Sequence, residues 1–507
     1  MTSADLDAPE GGLSGVLKRG VGYSAVGVAI CQIVVVVQTI VLGRLLGPAE
    51  VGVYTAGSVL TGFLLVFSQG TLAQALIHRE DDIEDAANTV LVVTFATGLL
   101  LALGVLATAP VIGMLFHNAR AGQISAATSG LMLLYLCLSV PEALMQRAFQ
   151  FKQRMVIQPA AKIAFAGVSI LFAVLGYGAW SMVVGSYASI VVLLVLSWWM
   201  ARWRPFRGHF SVRLWRQMAA FSFPLVLEHM ADSIRDTFQQ VLLGRRLGTA
   251  DLGQYRYGYQ MAGMPAMAIV EIFGYLLFPA FARLSADSAR FRDAFLRALG
   301  WTWFAVLPLG AILVVASQPV AVLLLGDEWR PAGTAAMAMS GMTVGAALHA
   351  LGATVMKGAG RSSLVNWLSV VGLGLHLPLI VVLLRFGLVG VGVGLSITYV
   401  VGGVVSVLLA RSVVDAPFRD IVRCVAPSTL SAFVAFAVVF PVEHFVVRSD
   451  RWFEPIGLAS VVAECLLFTV IYLGVLRVVS PNRYRSVRGF AQRAVTRLVG
   501  LARRERE

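Results

Sequence analysis

The sequence predicts an all-α polytopic membrane protein. About fourteen transmembrane helices form two parallel-repeat six-helix bundles plus two extra C-terminal helices. Three observations predict this. Hydrophobic residues make up 58% of the 507 and charged residues 13%, against about 25% charged in soluble domains, and mean hydropathy is +0.80. Apolar runs of the length a spanning helix needs, roughly 20 residues, recur along the whole chain. One string also occurs twice, as GRLLGPAEVGVY from Gly43 and GRRLGTADLGQY from Gly244.

The elements follow in order. Spans at 21–43, 52–75, 88–109, 125–141, 157–176 and 179–200 form an N-terminal bundle, residues 1–200. The first span follows a polar start with Lys18 and Arg19 and no small-residue cleavage site, so it reads as retained rather than as a signal peptide. A basic stretch at 201–217 links it to a second bundle, 218–411, with spans at 218–243, 253–280, 296–325, 333–355, 363–384 and 388–410. Two additional spans, 421–440 and 457–477, occupy 412–478 without a counterpart, and a basic tail covers 479–507. The repeat is offset by six spans, an even number, so its halves have the same orientation and are related by an axis along the membrane normal. A weaker echo joins LGYGAWSMVVG at Leu175 to RFGLVGVGVG at Arg385.

The repeated string reads as a tight hairpin between spans. Gly47 and Gly248 end one helix in a left-handed conformation. Glu50 and Asp251 favour the positive end of the next helix. Tyr54 and Tyr255 fall one turn further in, at interface depth. Gly43, Gly52, Gly244 and Gly253 complete the motif, with Arg44 and Arg245 as interface anchors or ligand contacts.

Lysine and arginine set the orientation. Alternate loops carry Arg147/Lys152/Arg154, then Arg202 to Arg216, Arg283 to Arg297, Lys357/Arg361 and Arg411 to Arg423, while the intervening loops hold scattered cations. Both termini are therefore expected in the cytoplasm, and these loops together with the tail after Pro481 account for most of the net charge of +13. In the tail, Val487, Phe490, Ala494, Leu498 and Leu501 share a helical face between arginines, which suits a surface of anionic lipids. A nucleic-acid role would need a soluble domain, for which the hydropathy leaves no room. Cys31, Cys137, Cys424 and Cys465 lie in apolar spans with no metal-ligand or disulfide spacing.

The seventh span holds the densest intramembrane charge. Glu228, Asp232, Arg235 and Gln239 are spaced by four, three and four residues, one face of a helix. The eighth carries Arg256, Gln260 and Glu271 on a similar stripe, and Lys162 in the fifth adds a cation. Charge inside a membrane faces a bundle interior or a watery cavity. Two readings stand. In one, Arg235, Arg256 and Lys162 contact an anionic group of a substrate while Glu228, Asp232 or Glu271 accept its hydroxyls or a proton. In the other, the charges neutralise one another, Asp232 or Asp236 pairing Arg235. His349 and His376 read as packing residues, and Glu464 as a single carboxyl in the added spans. GVGVG at Gly390 lies in an apolar span without the strand that nucleotide binding needs, so it reads as helix packing. No Walker sequence occurs. No cofactor is expected, and the energy source is an ion gradient or the membrane potential.

Three stretches carry a family resemblance: the GR-x-LG-x-[AS]-[DE]-x-G-x-Y hairpin, the R-x-x-x-F-K loop from Arg147 to Lys152, and the GYGAW turn. Together they resemble the Wzx-type polysaccharide flippases, in the branch of colanic-acid and teichuronic-acid exporters. That branch belongs to the superfamily of multidrug and toxin extruders and lipid II flippases. The resemblance implies a MATE-like fold working by alternating access, with undecaprenyl-diphosphate-linked oligosaccharide as substrate. It also implies partners in the polysaccharide assembly machinery, among them a polymerase, and no catalytic residues. A MATE-like exporter of small molecules is the alternative. A polytopic glycosyltransferase or ligase fits less well, because the largest outer loop, near Glu443–Glu454, is short.

Overall fold

The computed structural model describes residues 13–489 and 492, except 66–70, 80, 149–150, 204, 206–207 and 285–286. Among the described residues the secondary structure is helical, with no strand. Ten helical stretches there are long and apolar enough to cross a membrane.

The chain packs as two compact units, residues 1–253 and 254–507. In the first, α1 (Leu13–Leu64) is followed by α2 (Thr71–His78), α3 (Ile83–Leu115), α4 (Ala119–Arg147), α5 (Phe151–Val174), α6 (Trp180–Ala201) and α7 (Val212–Arg246). At 1.5 Å per residue, the 52 residues of α1 would far exceed a hydrocarbon core of about 30 Å. The helix is broken where the repeated string predicts, at Gly47 (φ 67°, ψ 171°), and Pro48 opens the next segment. α3 with α4 and α5 with α6 form antiparallel hairpins, and α1 packs on α4 and α5.

The 201–217 stretch, expected as an inter-bundle linker, is pinned to the start of α3. Asn88 Nδ2 donates to the Gly208 carbonyl (2.6 Å), the His209 N–H to Asp85 Oδ1 (2.7 Å), and the Ser211 N–H to Thr89 Oγ1 (3.1 Å). Ser211 then caps α7, which packs along α1, α2 and α3. For that reason the first compact unit extends to Gly253 and takes in α7.

The helix α8 (Thr249–Leu284) crosses the division. In the second unit follow α9 (Ser288–Leu325), α10 (Arg330–Ala338), α11 (Ser340–Gly358), α12 (Ser362–Leu383), α13 (Gly387–Val414), α14 (Phe418–Pro441) and α15 (Glu454–Val479). Its tightest packing joins α11 to α13, where a Cβ at Gly403 would lie 2.5 Å from the Gly345 carbonyl oxygen and Ser406 Oγ donates to the His349 carbonyl (3.1 Å). His376 is fully buried, its Nδ1 3.3 Å from Thr398 Oγ1. Gly392, in the Gly390 run, sits against Ala335 and Ala338 of α10. His376 and Gly392 thus lie at helix–helix contacts. An apolar core of Phe281, Phe295, Leu299, Leu351 and Val407 ties α8, α9, α11 and α13 together. α14 and α15 lie on α9 through Val315, Ala435, Phe468 and Tyr472. Residues 481–489 are helical; Phe490, Ala494, Leu498 and Leu501 of the expected tail helix lie outside the described residues.

Candidate functional site

α7 is an unbroken helix from its Ser211 cap to Arg246, so the four–three–four spacing of its polar residues does place them on one face. Arg235 is half-buried, its side chain 20% exposed, and its Nε donates to Asp236 Oδ1 at 3.1 Å. The pairing seen is with Asp236, whose side chain is 48% exposed. Gln239 is buried one turn further on. The side chains of Glu228, Asp232 and Glu271 lie outside the described residues. Arg256 and Gln260 are half-buried on the part of α8 that belongs to the second unit. Lys162 is exposed on α5, which packs against α1 and α6.

The hairpin motif is better resolved. Gly248 has φ 101°, and the α7 end is closed by hydrogen bonds from the Leu247 N–H to the Leu243 carbonyl (2.8 Å) and from the Gly248 N–H to the Gly244 carbonyl (3.2 Å). Gly43 and Gly244 are buried, and Gly244 faces the Phe116 ring. Arg44 and Arg245 are exposed. Tyr54 and Tyr255, expected at interface depth, are buried; the Tyr54 hydroxyl lies 2.9 Å from Ser186 Oγ on α6, and the Tyr255 ring is 5.8 Å from that of Tyr259.

Glu50 does more than open a helix. Arg120, at the start of α4, donates through both terminal nitrogens to its two carboxylate oxygens at 2.7 Å each. The Ala179 N–H donates to the same carboxylate at 2.7 Å, beside Gly178 at φ 55°. One carboxylate thus binds three connections of the first unit: the α1 break, the α3–α4 turn and the GYGAW turn. Sequence reasoning placed Glu50 at a helix start and did not bring Arg120 to it, because the pairing joins residues 70 apart.

In the second unit, Arg330 opens α10 and pairs with Asp327 (2.9 Å) and with Asp450 in the α14–α15 connection. Arg330 and Asp450 border a cavity of about 280 Å³. Among the described residues no group of three or more histidine, cysteine or acidic side chains is placed to hold a metal ion.

A family profile described as "Polysaccharide biosynthesis protein" matches residues 41–334. The chain is 25% identical, over 62% of its length, to the succinoglycan biosynthesis transport protein ExoT of Rhizobium meliloti, of which 63% is covered. It is 23% identical over 61% of its length to the lipopolysaccharide biosynthesis protein WzxC of Escherichia coli, again covering 63% of that protein. These two matches span just under two thirds of each relative. With the teichuronic acid biosynthesis protein TuaB of Bacillus subtilis it shares 22% identity over 90% of this chain and 95% of that one. The fold is similar to that of the lipid II flippase MurJ in an inward closed conformation, with TM-score 0.71 at 12% identity, covering 90% of this chain and 99% of that chain. It is also similar to an inward-facing multidrug resistance MATE family transporter of the MOP superfamily, with TM-score 0.62 at 14% identity, covering 76% and 94%.

Proposed function

The chain belongs to the polysaccharide biosynthesis protein family, and from that premise we propose that it flips a lipid-linked oligosaccharide across the bacterial cytoplasmic membrane. The substrate is an oligosaccharide on undecaprenyl diphosphate, carried outward by alternating access for cell-surface polysaccharide synthesis. It is a transport protein, not an enzyme. Fourteen spans follow when α1 supplies two, α10 with α11 supplies one, and the other long helices, α3 to α9 and α12 to α15, supply one each. The positive loops put both termini in the cytoplasm, and the tail rests on anionic lipids.

The observation that carries the reading is Arg235, half-buried on the polar face of an unbroken α7. An arginine at the centre of a spanning helix costs about 2.5–3.5 kcal/mol on insertion scales, a cost offset when it faces a hydrated path. A guanidinium there can grip a diphosphate bidentately. Asp232, Glu228 and Gln239 on the same face, with Arg256, Gln260, Glu271 and Lys162, complete the proposed set of substrate contacts. Outward movement of the diphosphate in a cell negative inside gains about 2.3 kcal/mol per charge per 100 mV.

The test is translocation of a fluorescent undecaprenyl-diphosphate sugar in liposomes, by wild type and by Arg235→Ala. Movement by wild type and its loss in a folded Arg235→Ala protein support the flippase and this path. Export of organic cations without movement of any such lipid establishes the MATE-like exporter instead.

A further inference from the structure

The cavity at the α14–α15 connection is lined by α9, by Arg330 at the start of α10, and by residues from Phe440 to Arg451. The connection has an unusual build. Val442–Val447 forms a π-helical turn, a form frequent at functional sites. Arg448 follows at φ 49°, ψ 60°, in the left-handed region that non-glycine residues seldom occupy. The turn is held from inside: the Glu443 carboxylate, only 7% exposed, accepts the Ser449 N–H (3.0 Å) and the Ser449 hydroxyl (2.7 Å). The Arg448 N–H closes it by donating to the Glu443 carbonyl (2.8 Å).

The result is an exposed pair of guanidinium groups on a fixed loop. Arg448 Nε donates to the His444 carbonyl (3.2 Å), and among the described residues neither Arg448 nor Arg451 makes an ion pair. Arg330 faces Asp450 across the cavity, already paired. Asp327 and Asp450 both pair Arg330, and Glu443 is turned to Ser449, so Arg448 and Arg451 are the guanidinium groups of the lining left for an incoming anion. Phe440 and His444 stack with centroids 5.6 Å apart and planes within 5°, giving one wall an aromatic surface.

We propose that this cavity binds one carboxylate-bearing sugar residue, a hexuronate. The proposal rests on the flippase reading, which supplies the saccharide, and on the orientation that puts this connection outside. The volume is near the lower end of small-ligand pockets, about 300 Å³, and so suits one sugar rather than a chain. A sugar carboxylate meets Arg448 and Arg451 in the planar geometry guanidinium groups favour. Sugar hydroxyls donate to Asp450, and the C–H face of the ring lies on the negative face of the aromatic wall. A bare phosphate would use the arginines alone and would meet Asp450 unfavourably.

The experiment measures binding of glucuronate and glucose to the full-length protein in zwitterionic nanodiscs by saturation-transfer NMR, with inorganic phosphate added as a competitor. Two variants are compared with wild type, singly and together. Arg451→Gln alters an exposed side chain, and Arg448→Asn keeps a residue that tolerates the left-handed backbone. Glucuronate should bind at least ten-fold more tightly than glucose, and the double variant should lose at least ten-fold at unchanged thermal stability. Equal binding of glucose, no binding, displacement by phosphate as effective as by glucuronate, or an unchanged double variant each overturns the site. Translocation of lipid-linked saccharide, measured in parallel, separates the two ideas. Translocation without glucuronate binding removes the site and keeps the flippase; glucuronate binding without translocation does the reverse.

Discussion

Gly52 and Gly253 meet face to face, each the tenth residue of its copy of the repeated string. A Cβ on Gly253 would lie 2.8 Å from the Gly52 nitrogen, and one on Gly52 would lie 3.1 Å from the Gly253 nitrogen. Each would also collide with a carbonyl oxygen of the opposite helix, that of Pro48 for Gly253 and that of Thr249 for Gly52. The crossing is reciprocal: each copy of the motif presents its glycine to the backbone of the other. It lets backbones approach as only small residues allow.

Gly52→Ala and Gly253→Ala should therefore each destabilise the protein by about 1–3 kcal/mol or more, the range for overpacking. The obstacle is backbone, which no rotamer change relieves. The measurement is thermal unfolding in detergent, with Gly62→Ala as control, since nothing lies within 4 Å of a Cβ there. A control that loses as much as the two test variants would refute the steric account.

Gly248 offers the complementary case. Its φ is 101° but a Cβ would meet nothing within 4 Å, so substitution there tests conformation alone. Gly248→Ala should cost about 1–2 kcal/mol, the penalty of a left-handed backbone for an L-residue, and Gly248→Asn should cost less. Equal loss for the two would point away from backbone strain.

Much of this was legible in the sequence, for a physical reason. Gly47 and Gly248 announce helix ends because few other residues adopt positive φ cheaply, and the long apolar runs announce spans because lipid permits little else. What the string could not announce was its tertiary use. The contact of Gly52 with Gly253, the burial of Tyr54 on Ser186 and the docking of Gly208 to Asn88 all join residues far apart in the chain. The same holds for the candidate site. The face of α7 follows from spacing, but the pairing of Arg235 with Asp236 depends on side-chain direction. Arg330 lies at the start of α10, Arg448 and Asp450 on the α14–α15 connection, and no periodicity encodes their meeting.

The Glu50–Arg120 pair should couple measurably. The side chains are 26% and 48% exposed, so solvent screening limits the gain despite bidentate geometry. A double-mutant cycle with Glu50→Gln and Arg120→Gln should give an interaction energy of about 1 kcal/mol in thermal unfolding, shrinking as salt is raised. Glu50→Gln should cost the more of the two, because it also weakens the acceptor of the Ala179 N–H. Zero coupling at low salt would mean that the pair only decorates the turn.

Arg235 and Asp236 decide between the two roles of the α7 stripe. If the guanidinium serves substrate, Arg235→Ala should slow translocation at least ten-fold, about 1.4 kcal/mol in barrier, at unchanged thermal stability. Asp236→Asn should stay within about two-fold of wild type, since its half-exposed carboxylate solvates readily once its partner is busy with substrate. If the pair only neutralises itself, the pattern differs. Each single variant then leaves a charge uncompensated and both lose stability, while Arg235→Gln combined with Asp236→Asn recovers stability and transport together. Liposome translocation rates and melting temperatures for the four proteins separate these outcomes, because a substrate contact is not restored by deleting its neighbour.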